Sequence, residues 1–379
     1  MTERDSPDTL ISEEQRANRA YLVGSFSLES RDSAQASLQE MERLCTAAGL
    51  TVAGAELVRV RTPNPAFYLG RGQVSRIIET AKELDAGVIV FDQPLSPVQM
   101  RNWARKAQLE VHDRHGVILE IFAQRATTRE AQLQVEVARA SYAQSHLVGM
   151  WQHLSRQGGG SRLARGEGEK QIEMDRRRLA ERVTRAQRAL ELVSRQRLLR
   201  RSRRSDAFRV ALLGYTNAGK SSLLNALANA RVLSRNRLFA TLDPTTRRLY
   251  LPPGNTILLT DTVGFVRNLP PQLVQAFHST LEEATEAELI LFVVDAADPE
   301  AARHLTITRE ILQELHATPP SRLIILNKID LCPNPEEAEL AIRGVLSDDE
   351  RVIATSTMDG RGIGELREIL AKEAAAALP

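Results

Sequence analysis

The chain has 379 residues, enough for two or three domains with separate cores. Its two cysteines, Cys45 and Cys332, supply neither a disulfide framework nor a metal-ligand spacing, so a reducing, cytoplasmic setting is expected. The net charge is +2, no stretch near the start has signal-peptide character, and the longest apolar run, Leu289 to Ala297, carries Asp295 and is too short for a bilayer; a disulfide scaffold and a membrane span are excluded.

Residues 1–19 are polar, contain Pro7 and read as a disordered tail. Residues 20–128 alternate in an α/β pattern: a strand at 21–24, helices at 33–48 and 74–84, a buried strand at 88–92, then a helix from Pro97 through Ala107. Proline suits that helix start because its missing N–H would lack a partner there anyway. Residues 117–122 fit strand or helix equally by periodicity.

Two long helices follow. The first, 128–147, places Leu133, Val137, Ala140, Gln144 and Leu147 at four-three spacing. The second, 169–204, places Leu179, Val183, Ala186, Leu190 and Val193 on a coiled-coil-like seam. Residues 157–168 join them with five glycines and two arginines, Arg162 and Arg165. The expectation is an antiparallel helical hairpin over 129–205 with a mobile basic tip, the alternative being a plain interdomain linker. Residues 176–209 hold thirteen arginines and no lysine against Glu181, Glu191 and Asp206, a net of +10, leaving −8 on the rest. Such a concentration points to a polyanion, and arginine suits bidentate phosphate contact. No aromatics interleave with these charges, so base stacking is not indicated.

From residue 206 to 379, strands and helices alternate regularly, predicting a six-stranded, mostly parallel sheet with helices on both faces. Gly214, Tyr215, Thr216, Asn217, Ala218, Gly219, Lys220 and Ser221 form a G-x-x-x-x-G-K-[ST] string between an apolar run and a helix, with Ser222 following. In that context the loop N–H groups and the helix N-terminus cradle phosphates, Lys220 reaches the β/γ-phosphates and Ser221 holds Mg²⁺. Asp261, Thr262, Val263 and Gly264 form a D-x-x-G string after a second apolar run; Asp261 suits the Mg²⁺ shell through a water, and the Gly264 N–H suits the γ-phosphate. Asn327, Lys328, Ile329 and Asp330 form N-K-x-D after a third run, and Asp330 can accept two hydrogen bonds from guanine that adenine cannot offer.

Three motifs in this order resemble the translation-factor-related GTPases. That resemblance implies a switch loop at Phe239, Ala240, Thr241, Leu242 and Asp243, with Thr241 completing the Mg²⁺ shell beside Ser221; Thr245 and Thr246 are the alternatives. It places a base-edge loop at Thr355, Ser356 and Thr357, with Thr357 replacing the usual alanine. Lys220, Thr241 and Gly264 are the expected catalytic groups. Phe265 stands where many such enzymes carry the glutamine that orients water, so slow intrinsic hydrolysis is expected, whether its ring faces water or the core. Asn217 resembles the asparagine of potassium-stimulated GTPases, making K⁺ a candidate second cation beside Mg²⁺.

The wider pattern resembles the HflX GTPases. It rests on Arg165-Gly166-x-Gly168-Glu169 with Glu173, Asp175, Arg176 and Arg177, on Tyr68-Leu69-Gly70-x-Gly72, on Leu95-Ser96-Pro97-x-Gln99-x-Arg101-Asn102, and on the stretch from Asp113 to Ala126. Glu167, Ile172 and Thr357 depart from that family's pattern without touching the phosphate chemistry. The resemblance covers residues 20–379 and implies a protein that binds GTP and GDP; a monomer is expected, although the sequence does not determine the oligomeric state. The resemblance also implies binding to the large ribosomal subunit and its RNA, and help in splitting or rescuing stalled ribosomes. Residues 20–128 would be the N-terminal ribosome-binding domain and 206–379 the GTPase domain, with Arg162, Arg165, Arg176 and Arg177 as RNA contacts. Ribosome assembly is the competing role; a phosphotransferase lacks an acceptor-base constellation here, and a GTP-binding scaffold without turnover is the remaining alternative. Whether ATP also serves is left open by these motifs.

Overall fold

The structure, a computed structural model, describes residues 13–27, 31–156, 162–201, 207–228, 238–239, 241–252, 254–276, 286–314, 321–347 and 350–377. The chain divides into two compact units: Met1–Ile121 with Ala140–Arg182, and Phe122–Arg139 with Val183–Pro379.

The first unit begins with α1 (Glu13–Ala17), β1 (Arg19–Phe26), α2 (Arg31–Ala47), β2 (Thr51–Arg59) and α3 (Arg71–Glu83), followed by β3 (Val88–Phe91), α4 (Pro97–Ala107), β4 (Glu110–Asp113) and α5 (Arg114–Arg125). Its four strands form a parallel sheet in the order β2-β1-β3-β4. Helix α4 starts where the sequence suggests: Ser96 Oγ accepts from the Gln99 N–H, Gln99 Oε1 accepts from the Ser96 N–H, and Pro97 takes the first helical position. Tyr21, Val23, Ile77, Ile89, Phe91 and Trp103 build the core, and the buried indole N–H of Trp103 donates to the Phe67 carbonyl at 2.8 Å. At the carboxyl ends of β3 and β4, fully buried Arg114 is ion-paired with Asp92 and Glu40, which compensates a charge that would be prohibitive alone.

Three features add to or correct the sequence expectations. Strands β2 and β4 are not apparent from the pattern; both are sheet edges, and neither carries the continuous apolar run that marks a central strand. Residues 117–122 are helical, within α5. The expected disordered tail does not extend to residue 19, because α1 is tied down through Arg16–Asp85 and the Gly87 N–H donates to the Arg19 carbonyl; residues 1–12 lie outside the described set.

The long helices are α6 (Arg129–Arg156) and α7 (Arg162–Arg201). Within the second unit, Leu133 and Val137 of α6 pack with Ala186, Leu190 and Val193 of α7, so this part of the four-three seam is a packed interface. Helix α7 starts at Arg162, inside the stretch expected to be a loop. Good helix formers surround Gly166 and Gly168, and about 1 kcal/mol per glycine does not outweigh them. The rest of that expected tip, residues 157–161, lies outside the described set.

The second unit continues with β5 (Phe208–Leu213), α8 (Lys220–Ala228), β6 (Thr245–Leu251), β7 (Asn255–Asp261), α9 (Pro271–Ala276) and β8 (Leu289–Asp295). It ends with α10 (Ala301–Glu314), β9 (Ser321–Asn327), α11 (Pro335–Arg343), β10 (Arg351–Ala354) and α12 (Ile363–Ala377). The sheet order is β10-β9-β8-β5-β7-β6, parallel except for β6 against β7, as the alternating pattern predicts. Leu212, Leu223, Leu259, Leu291, Ile325 and Leu366 lie in its core. The carboxyl ends of β5, β7 and β9 carry the three motifs, which is where open parallel sheets take ligands.

Candidate nucleotide-binding site

The loop from Gly214 to Gly219 leaves β5 and enters α8 at Lys220. Gly219 sits at φ +95°, and a Cβ there would lie 2.2 Å from Asn327 Nδ2, so the loop can reach the N-K-x-D segment only with glycine at this point. That amide donates to the Ala218 carbonyl at 2.9 Å, and Asn327 Oδ1 accepts from the Thr355 hydroxyl at 3.2 Å. Asn327 therefore binds the phosphate loop to the base loop rather than reaching outward.

Lys220 is buried and folds back so that Nζ donates to the Gly214 and Tyr215 carbonyls at 3.0 and 2.9 Å. Burial lowers its pKa to about 8, with Asp261 opposing that shift and Lys328 adding to it. Across the site, Asp261 Oδ2 accepts from Ser221 Oγ at 2.6 Å and from Thr241 Oγ1 at 2.8 Å, and those two hydroxyls are 2.8 Å apart. Burial raises the pKa of Asp261, against Lys220 and both hydroxyl donors. Its Oδ1 is buried without a hydrogen-bond partner among the described residues. Hard oxygens converging beside an unsatisfied carboxylate oxygen fit Mg²⁺. Among the described residues no group of three or more His, Cys, Asp or Glu side chains could hold a metal ion. Thr241, rather than Thr245 or Thr246, reaches it; Thr246 meets Thr260 at 3.0 Å and Thr245 faces the Asp243 carbonyl at 3.5 Å.

Gly264 lies against the phosphate loop: a Cβ there would be 3.0 Å from Thr216 Cα and 3.1 Å from Lys220 Nζ. Its neighbour Phe265 is 2% exposed, with its N–H donating to the Gly214 carbonyl at 3.1 Å and its carbonyl accepting from the Thr216 N–H at 2.7 Å. The ring is a core ring, and the position offers water no hydrogen-bonding group. Thr262 donates to the Leu212 carbonyl at 2.6 Å and Val263 is buried, so neither side chain is available to a ligand. The Tyr215 ring stacks on His304 at 3.7 Å with its hydroxyl accepting from the Arg267 N–H, so only Tyr215's backbone faces Lys220. Asn217 is exposed at φ +62°.

In the base region, Asp330 Oδ1 is buried and lacks a partner among the described residues, an acceptor ready for a donor such as the guanine N1–H. Lys328 is at φ +61° and its Nζ meets Asp295 Oδ2 at 2.6 Å, an anchor at the end of β8 that no motif in the sequence announces. Ile329 is buried, and its N–H donates to the Thr355 carbonyl at 3.2 Å. Ser356 Oγ accepts from the Met358 and Asp359 N–H groups, shaping the turn that carries Thr357. Ser222 lies half-buried in the first turn of α8.

In the switch loop, Leu242 is buried, and the side chains of Phe239 and Asp243 turn away from the oxygen cluster toward residues 122–128. Ala240 lies outside the described residues. Of the arginines expected on RNA, Arg176 and Arg177 are 49% and 82% exposed and form surface ion pairs with Glu173 at 3.7 Å and Glu181 at 3.9 Å. Arg162 and Arg165 belong to the first turns of α7, and their side chains lie outside the described set.

Three family descriptions match consecutive parts of the chain: "GTP-binding GTPase N-terminal" over residues 35–123, "GTP-binding GTPase Middle Region" over 125–204, and "50S ribosome-binding GTPase" over 209–328. The protein named GTPase HflX from Magnetococcus marinus is 44% identical over 363 residues, covering 94% of this chain and 82% of that protein. The chain belongs to the HflX family of GTPases. Other HflX relatives include those of Akkermansia muciniphila, 46% identical over 92% of this chain and 82% of that protein, and Escherichia coli, 41% identical over 93% and 82%. Among solved structures, SsGBP in complex with GDP matches with a TM-score of 0.51 at 23% identity, over 96% of this chain and 100% of that one, a likeness of fold. As an HflX GTPase the protein binds GTP and hydrolyses it to GDP and phosphate. No helix among the described residues is long and apolar enough to cross a membrane.

Proposed function

We propose that this GTPase associates with the large ribosomal subunit and in its GTP state helps split or rescue stalled ribosomes, with hydrolysis stimulated on the ribosome. The observation that carries this reading is the arginine surface of α7, where Arg176, Arg177, Arg178, Arg182, Arg185 and Arg188 are all exposed. Phosphate contact dominates affinity for RNA, and guanidinium groups suit it. The description "50S ribosome-binding GTPase" for the family matching residues 209–328 points the same way. Arg162 and Arg165, at the start of α7, would extend this surface toward RNA. In this reading 20–128 and 129–205 serve the ribosome and 206–379 the nucleotide.

In the nucleotide site, residues 214–222 cradle the phosphates, Lys220 neutralises the β/γ oxygens, and the Gly264 N–H senses the γ-phosphate. Ser221 and Thr241 hold Mg²⁺, which supplies charge neutralisation on the phosphates, while Asp261 orders its shell. Asp330, supported by Asn327, Lys328 and the loop 355–357, selects guanine. Asn217 offers a ligand for K⁺. With Phe265 buried where a water-orienting group would stand, intrinsic turnover is slow.

The test is the hydrolysis rate with and without purified large subunits at two salt concentrations. Stimulation that weakens at high salt supports the proposal, and absence of stimulation at both overturns it. Sedimentation after depletion separates the roles: accumulating precursors would indicate assembly, and loss of splitting would indicate rescue.

A further inference from the structure

Thr241 is held from both sides by groups outside the motifs. Two residues before it, Phe239 adopts φ +53°, a left-handed conformation uncommon for an aromatic residue, and its buried ring meets Phe122 with centroids 4.5 Å apart. Two residues after it, Asp243 reaches the start of α6. Its Oδ2 accepts from the Thr127 hydroxyl at 2.9 Å and from the Thr128 N–H at 3.3 Å, and its Oδ1 accepts from the Thr128 hydroxyl. Thr128 Oγ1 in turn accepts from the Ala131 N–H at 3.2 Å, and its carbonyl accepts from the Gln132 N–H at 2.9 Å. The carboxylate thus joins the cap of α6 through a hydroxyl relay and lies at the positive end of that helix.

We propose that Phe122, Thr127 and Thr128 are positioning residues for hydrolysis: together with Phe239 and Asp243 they form a clamp that holds Thr241 in its metal-binding place. The clamp rests on the reading of Thr241 as a Mg²⁺ ligand given above. Thr241 already lies beside Ser221 and Asp261 while both anchors are made, so the clamped loop and the assembled oxygen cluster are one conformation. A ligand can bias a conformation only by binding it better than the alternative. A triphosphate with Mg²⁺ engages Thr241, whereas a diphosphate lacks the γ-phosphate beside which Thr241 would close. The clamp therefore favours GTP over GDP, and by reciprocity GTP tightens the cap of α6.

The experiment uses the full chain and measures affinity for a non-hydrolysable GTP analogue with Mg²⁺, affinity for GDP, and single-turnover hydrolysis. Variants are Thr127→Ala/Thr128→Ala, Asp243→Ala, their combination, Thr128→Ser, and Thr241→Ala. Asp243→Ala leaves the helix's own cap intact and guards against a folding failure of the threonine variant. The expected result is about a tenfold loss of analogue affinity and of hydrolysis rate in the threonine pair and in Asp243→Ala, with no further loss on combination. GDP affinity stays near that of the parent, and Thr128→Ser restores the analogue. Equal losses for both nucleotides, or fully additive losses, overturn the clamp. If Thr241→Ala is impaired while the clamp variants are not, the clamp fails and the Thr241 reading survives. An unimpaired Thr241→Ala removes both.

Discussion

Lys220 and Asp261 are both buried at the phosphate loop, and burial pushes each toward its neutral form while each holds the other partly charged. Lys220 is held by the Gly214 and Tyr215 carbonyls and Asp261 by the Ser221 and Thr241 hydroxyls, and a polyanion with its cation would add a countercharge to each. For Lys220, a fall from 10.5 to about 8 corresponds to on the order of 3 kcal/mol disfavouring the ammonium, at about 1.4 kcal/mol per pH unit.

That shift has a consequence for binding. GTP favours the charged lysine, so its pKa in the complex lies above that of the free protein. Affinity should be fully expressed below about pH 8 and decline as pH rises through 8 toward the pKa in the complex, with proton uptake on binding in that window. Calorimetry in buffers of different ionisation enthalpy measures that uptake directly. Lys220→Ala should remove both the uptake and the tight binding.

Asp330→Asn should weaken GTP binding by about a hundredfold, because a charged acceptor facing guanine donors is replaced by an amide that presents a donor as well. Xanthosine triphosphate, whose base carries a carbonyl in place of the exocyclic amine, should gain relative to GTP. Competition between the two nucleotides reads the change.

Phe265→Gln should not create a fast intrinsic GTPase. The side chain is 2% exposed and its backbone is bonded to Gly214 and Thr216, so a glutamine there would be a buried amide instead of a water-orienting one. The expected effects are a loss of about 1–3 kcal/mol of stability, read as a lower Tm, and an unchanged single-turnover rate without ribosomes. A rate gain of about tenfold, equivalent to about 1.4 kcal/mol of barrier, would show that the loop rearranges to expose this position.

Replacing Arg176 and Arg177 by glutamate should weaken binding to large subunits and flatten its salt dependence. For every phosphate that is no longer neutralised, the slope of log affinity against log salt falls by about 0.7–0.9. Filter binding across a salt series checks it, and an unchanged slope would move the RNA-binding surface elsewhere.

The motifs of the candidate nucleotide site are legible in the sequence because they are short strings at strand ends. Glycine at 219, lysine at 220 and the carboxylates at 261 and 330 are each required by local geometry or by a single ligand group. The central strands were readable for a related reason, since burial on both faces, as in β8, writes a continuous apolar run. Edge strands β2 and β4 write no such run, and they emerged only from their pairing with β1 and β3. The family resemblance favours Thr241 beside Ser221, and the tertiary structure set aside the alternatives, Thr245 and Thr246, whose hydroxyls meet other partners. The tertiary structure also decided that Phe239 packs on Phe122 of α5 and that Asp243 reaches the start of α6, both turned away from the oxygen cluster. Their partners, Phe122, Thr127 and Thr128, stand more than a hundred residues away along the chain, a separation that no periodicity or motif can span.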